Sequence, residues 1–459
     1  MVSPLVPAWI MGLASVAVLI PGLSLISPGF KKATLIFLVL GTSLLVATRQ
    51  PFAEWITAVN SMTNTVAIIV VMQCVAIPVS MGRYDELICR WADVRVRTNK
   101  ALFAFSTFVT HLLASFLNMG AIPLSINLMG RTIRSRMPQQ YADQFIAVTV
   151  SRGYVLAALW APPAINLYLV VQATGVPWST LLLPGIILAI LGFYLTYLLE
   201  TRKGGALSSE GKRSKPIVAD NCSKQMRESD NEFSGKSYRW ISQLDIALIH
   251  VVIIAVSIVG IVFIMEKAGI GQGYTRIMVA GIIVTAVWSI SIYDKKKFLT
   301  AVEEYWDDGI LKVRDMGPFF VAMGLFSRSL ESSGILDMVS PLIRSAANWL
   351  GLFSVAVLPF IMILLSIIGL HPFITIVMFG KILSSTTMQL PALSIAISLA
   401  VGGAAAYMIS PFAGIIMSIA RYTGARASQI SVQWNGKYSL LFFVVGVLFA
   451  ILWGMLVAV

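Results

Sequence analysis

Shifted against itself by 249 positions, the chain aligns residues 120–175 with residues 369–424 without a gap, and 14 of the 56 pairs are identical. The identities include Gly120/Gly369, Pro123/Pro372, Gln140/Gln389, Gly153/Gly402, Pro162/Pro411 and Thr174-Gly175/Thr423-Gly424. Matching apolar residues would say little. Matching prolines and glycines say more, because they mark places where the backbone leaves regular helix. Such a chain is read first as two copies of one unit. In a membrane protein, paired Gly/Pro-interrupted segments in two halves point to a binding site where the copies meet.

The sequence is that of a membrane protein. Of 459 residues, 57% are hydrophobic and 12% charged, against about 25% charged in a soluble domain. The net charge of +13 fits basic loops facing an anionic inner leaflet and does not call for nucleic acid. Cys74, Cys89 and Cys222 match no metal or redox spacing. The N-terminus has neither a charged n-region nor a small-residue cleavage site, so its first apolar run is expected to be a retained span.

A spanning helix needs about 20 apolar residues. Candidates in the first repeat, residues 1–200, are 4–28, 33–47, 62–81, 154–173 and 178–199. Residues 201–240 read as a flexible cytoplasmic linker. In the second repeat, residues 241–459, the candidates are 241–265, 277–292, 317–330, 393–419 and 439–459. Two further apolar stretches, 101–130 and 350–381, are broken near the middle, at Asn118–Pro123 and at Gly369-Leu-His-Pro372. These are expected to be re-entrant hairpins, whose exposed backbone is tolerated only against protein or a water-filled cavity. With five crossings per half the two halves are inverted. That places 27 Lys/Arg inside and six outside, as the positive-inside rule demands. The expected fold is an all-α polytopic membrane protein of two inverted repeats, each with five transmembrane helices and one re-entrant hairpin.

Each hairpin precedes a helix broken at matching positions. These are residues 152–174, with Pro162-Pro163-Ala-Ile-Asn166, and residues 391–421, with Ser410-Pro411-Phe-Ala-Gly414. A broken helix offers free N–H groups and a positive dipole end to an anion, and unwound carbonyls to a cation. The candidate binding residues are therefore Ser115, Asn118, Gly120, Pro162, Asn166, Ser366, Gly369, His371, Ser410, Pro411 and Gly414. For Ser115 and Ser366, a bond to their own helix is an equal alternative. His371 either caps a carbonyl or carries a proton, and His111, inside a hairpin arm, reads as structural. Arg152 either adds positive charge to the first break or snorkels to the interface. Ser384 to Thr387 read as a polar turn. Neither hairpin nor broken span contains Asp or Glu, which favours an anion held by amides, hydroxyls and dipoles over a metal cation.

The phrase Ala114-Ser-Phe-Leu-Asn118-Met-Gly-Ala-Ile-Pro123 resembles the hairpin motif of the Ion Transporter superfamily. That group spans divalent-anion/sodium symporters, citrate carriers, arsenite pumps and related antiporters. Pro162-Pro163-Ala-Ile-Asn166 is similar to the family's Thr-Pro-Pro-Asn break. The resemblance implies a homodimer with a scaffold and a moving transport domain, working as an elevator. It also implies that Ser115, Asn118 and Gly120 line a cation or substrate site with Pro162 and Asn166 beside it. The second hairpin departs, since Ser366-Ile-Ile-Gly-Leu-His371 lacks the Asn-Thr pair. A second sodium site is then not expected, and proton coupling through His371 stays open. The expected function is secondary transport of a small anion, a carboxylate first, coupled to Na⁺ or H⁺ across a prokaryotic inner membrane. No other cofactor is implied. An arsenite or cation/proton antiporter of the same fold is the nearest rival. A membrane-embedded enzyme would need a catalytic or metal cluster that the sequence does not show.

Overall fold

The structure is a computed structural model. It describes residues 8–75, 77–78, 96, 98–202, 240–292, 295–309, 314–335, 349–368 and 391–457, with scattered positions between 338 and 345 and between 372 and 379. Gly369, His371, Ser384 to Thr387 and most of the linker lie outside the described residues. All regular structure among the described residues is helical. Among the described residues, seven helical stretches are long and apolar enough to cross a membrane. The chain is a multi-pass membrane protein.

One group of helices packs around α13 (Met316–Ser332): α1 (Ala8–Leu25), α2 (Pro28–Ala47), α3 (Phe52–Asn60) and α4 (Thr63–Gln73). Rings of Phe30 and Phe37 meet Phe319 at 5.5 and 5.9 Å, and Phe37 stacks on Phe326 at 5.6 Å. Gly41 lets α2 approach the Phe326 backbone closely, since a Cβ there would lie 3.0 Å from it. Against α4 lies α11 (Gly273–Ile292), which also packs on α10 (Trp240–Lys267).

The third span begins earlier than the sequence suggests. Helices α3 and α4 form one apolar stretch, Phe52–Met72, where 62–81 was expected. Glu54 made the first turn look like loop. It pairs with Arg328 of α13 at 3.1 Å, which lets it sit at a helix end.

The second group begins with α5 (Asn99–Leu117), a three-residue turn at Asn118–Gly120, and α6 (Ala121–Arg136). Run straight, those 38 residues would extend about 57 Å, nearly twice a bilayer's hydrocarbon core. They do not run straight. Arg136 Nη1 donates to the carbonyl of Val96 at 2.7 Å, so the two ends of the stretch meet, and α5 packs along α6. The reversal is made at Asn118, whose φ of 51° and ψ of −127° break the helix.

Next come α7 (Gln139–Ala157), a break, α8 (Ile165–Thr174) and α9 (Trp178–Arg202). In the second half, α14 (Ser354–Ile368) precedes α15 (Ala392–Ile409), a break, α16 (Gly414–Thr423) and α17 (Asn435–Val457). Helix α7 starts well before the expected residue 152. Pro138 caps it, and Gln139 bonds Asp143 at 3.0 Å along the first turn, so a polar segment stays helical.

The two broken helices share one backbone design. Helices α8 and α16 are each ten residues long and displaced by the repeat interval. Both end on a left-handed glycine, Gly175 at φ 71° and Gly424 at φ 73°. At Gly153 of α7 a Cβ would come within 2.6 Å of the Thr107 carbonyl and 2.9 Å of Thr110 Cβ on α5. At the matching Gly402 of α15 it would come within 2.5 Å of Pro359 Cβ on α14, and Pro359 is Thr110's counterpart in the repeat. The paired glycines thus admit the neighbouring arm in both halves. Helix α8 packs on α15, and α16 on α7. Each short piece lies beside the long piece of the other.

Candidate functional site

The helix ladder of α7 stops where the sequence removes its donors. Pro162 and Pro163 have no N–H, and the Ala161 carbonyl accepts from Ala164 N at 3.1 Å. Helix α8 then begins with N–H groups at Ile165, Asn166 and Leu167 that have no helical carbonyl behind them. The second break repeats this with one proline. Ser410 Oγ accepts from Phe412 N at 3.3 Å, the Ser410 carbonyl accepts from Ala413 N at 3.2 Å, and α16 starts at Gly414.

The C-terminal ends of α5 and α14 each reach the break in their own half. Buried Asn118 donates from Nδ2 to the Pro163 carbonyl at 2.7 Å, and its Oδ1 accepts from the Tyr154 hydroxyl at 2.5 Å. In the second half the bond points the other way: Ser410 Oγ donates to the Ser366 carbonyl at 2.8 Å. The turn after Asn118 also reaches the second break, because a Cβ on Gly414 would lie 3.0 Å from Met119 Cε.

Asn166 joins the halves. Its Nδ2 donates to the Ala400 carbonyl of α15 at 3.2 Å. Its Oδ1 is buried, has no hydrogen-bond partner, and lies 2.1 Å from where Gly403 would carry a Cβ. Beside it is a cavity of about 10 Å³, space for about one water. Tyr154, Val155, Ala158, Ile165 and Asn166 line it from the first half, Phe373, Ala404 and Tyr407 from the second. The rings of Phe373 and Tyr407 are 4.9 Å apart.

The structure therefore gathers Asn118, Asn166, Ser410 and Gly414 around the two breaks that Pro162 and Pro411 create. Ser366 contributes its carbonyl, and its hydroxyl is buried without a partner. Ser115 bonds the Leu112 carbonyl of its own helix at 2.7 Å, and Gly120 completes the turn ahead of α6. Arg152 lies away from the break. It is buried, paired with Glu200 at 3.1 Å, bonded to Asn435 Oδ1 and the Trp434 carbonyl, and 4.4 Å over the Tyr438 ring. Tyr154, Tyr407 and Gly403 were not singled out from the sequence. Their signal was a mismatch: the repeat aligns Tyr154 with Gly403 and Ala158 with Tyr407, a large residue facing a small one twice.

The chain has the fold of a solved transporter. It superimposes on a crystal structure of the Alcanivorax borkumensis YdaH transporter, described as having an unusual topology. The TM-score is 0.52 at 14% identity, over 92% of this chain and 98% of that one. No protein-family model matches the sequence, and no curated protein does.

Proposed function

We propose that this chain is a secondary active transporter of a small anion, a carboxylate, coupled to Na⁺ or H⁺. The observation that carries the proposal is the docking of the Asn118 turn onto the Pro163 carbonyl, beside a cavity lined from both halves. Free N–H groups at the starts of α8 and α16 suit a carboxylate. Among the described residues, no carboxylate side chain lines the cavity to oppose one.

An inverted-repeat topology is supported by where the ion pairs fall. Arg134–Asp143, Arg152–Glu200 and Arg421–Asp315 join ends assigned to the cytoplasm. Arg276–Glu266 and Arg328–Glu54 join ends assigned outside. The meeting of Arg136 with Val96 supports a hairpin that enters and leaves on the cytoplasmic side. The two packing groups suit an elevator, with α1–α4, α10, α11 and α13 as scaffold and the hairpins and broken helices as the moving part. The scaffold would pair with a second copy in a prokaryotic inner membrane. A cavity with space for one water is too narrow for a carboxylate, so loading requires the Asn118 turn to withdraw.

The test is uptake of labelled small carboxylates by proteoliposomes, with and without Na⁺ and a pH gradient. Asn118→Ala is expected to reduce uptake to background while the protein still assembles. Unchanged uptake would remove Asn118 from the site.

A further inference from the structure

His111 sits on α5 facing the first break. Trp160, inside that break, donates its indole N–H to His111 Nε2 at 3.2 Å, with ring centroids 5.8 Å apart. The Trp160 carbonyl in turn accepts from the Trp178 indole of α9 at 3.0 Å. Gly153 lets α7 lie close to α5 at this level, since a Cβ there would lie 3.2 Å from the backbone nitrogen of His111. An imidazole whose Nε2 accepts a bond is neutral and carries its proton on Nδ1, which here is enclosed against the Gly153 backbone. The break is thus tied to the hairpin through a group with one free lone pair, and that pair is aimed at a donor.

On the transporter reading above, we propose that His111 is the site that takes up the coupling proton. A proton from the aqueous side adds to the Nε2 lone pair. The imidazolium then has two donors, and Nε2–H faces the Trp160 N–H. The two cannot share a bond, so the Trp160 indole must turn away, which releases the side-chain tie between α5 and the break. Protonation therefore loosens the break that Asn118 docks onto, and loss of the proton closes it.

No described charge competes for the imidazole. On α7, the Tyr154 hydroxyl is taken by Asn118, and Arg152 by Glu200 of α9. On α6, Arg134 pairs with Asp143, and Arg136 bonds the Val96 carbonyl. On α10, Glu266 pairs with Arg276, and Lys267 lies over the Phe263 ring. Helix α4 offers only Cys74, at its far end.

The test uses His111→Gln, whose amide oxygen can still accept from Trp160 but cannot hold a proton. The three histidines of the purified full-length protein are followed by NMR of ¹³Cε1-labelled imidazole across about pH 4 to 9, and the resonance lost in His111→Gln assigns the site. Expected is a titration of that resonance matched by a change in tryptophan emission, with the emission change absent in both His111→Gln and Trp160→Phe. In pyranine-loaded proteoliposomes given a mixture of small carboxylates, proton entry should fall at least tenfold in His111→Gln. A resonance that does not titrate, an emission midpoint unchanged by His111→Gln, or undiminished proton entry would overturn the proposal. Absence of carboxylate uptake by the parent protein would instead overturn the transporter reading, with the titration unaffected.

Discussion

Gly403→Ala tests the geometry on which the site depends. The added methyl would lie 2.1 Å from Asn166 Oδ1 and 2.7 Å from Ile376 Cδ1. Neither neighbour has room to give, because Ile376 is fully buried and Asn166 is anchored to the Ala400 carbonyl at 3.2 Å. Relieving the overlap means turning the amide away, which loses a buried hydrogen bond of about 1 kcal/mol. Overpacking costs a further ~1–3 kcal/mol. The expected destabilisation is about 2–4 kcal/mol, measured by equilibrium unfolding in mixed micelles. If the amide is the obstacle, Asn166→Ala should remove much of the cost. The double variant should then be more stable than the sum of the singles predicts, by about 1–3 kcal/mol. A Gly403→Ala protein within about 0.5 kcal/mol of the parent, or strict additivity with Asn166→Ala, would refute the reasoning.

Gly175→Ala and Gly424→Ala meet no neighbour within 4 Å but hold φ at 71° and 73°. Each should cost about 1–2 kcal/mol through backbone strain alone, and the two should match each other in the same unfolding assay. Arg152→Met strands Glu200 in the interior and should cost about 3–5 kcal/mol, while Arg152→Met with Glu200→Met should regain most of it. A double variant as unstable as the single would show that Asn435 and Trp434, rather than the ion pair, set the cost.

The parts of this fold legible in the sequence are those written in backbone chemistry. Pro162 and Pro411 delete donors wherever they stand, and Gly175 and Gly424 take a left-handed turn that other residues resist. Their spacing therefore marked where the two helices break, while the pieces beyond the breaks, Ile165–Thr174 and Gly414–Thr423, were read only as parts of residues 152–174 and 391–421. The start of α7 was hidden, because Gln139, Asp143 and Gln144 look like loop until Pro138 and the Gln139–Asp143 bond make them a first turn. Phe52–Asn60 was hidden for the same reason, with Glu54's partner 274 positions away. Asn118 and Asn166 stood out as amides costly to leave unbonded in lipid. Which carbonyls they reach, Pro163 and Ala400, depends on how helices cross, and no local pattern records that. Tyr154 looked like any aromatic residue of an apolar run until the fold set its hydroxyl on Asn118.

The exchange of large for small between Tyr154 and Gly403 has a consequence for the chain's ancestry. Were the second half replaced by a duplicate of the first, a tyrosine ring would stand where the Asn166 amide now rests over Gly403, and the two halves would jam. The twin units have ceased to be interchangeable at the point where they touch. The cavity where they meet has the Asn166 amide on one flank and the Tyr407 ring on the other, a lopsidedness that a pair of identical halves could not have offered.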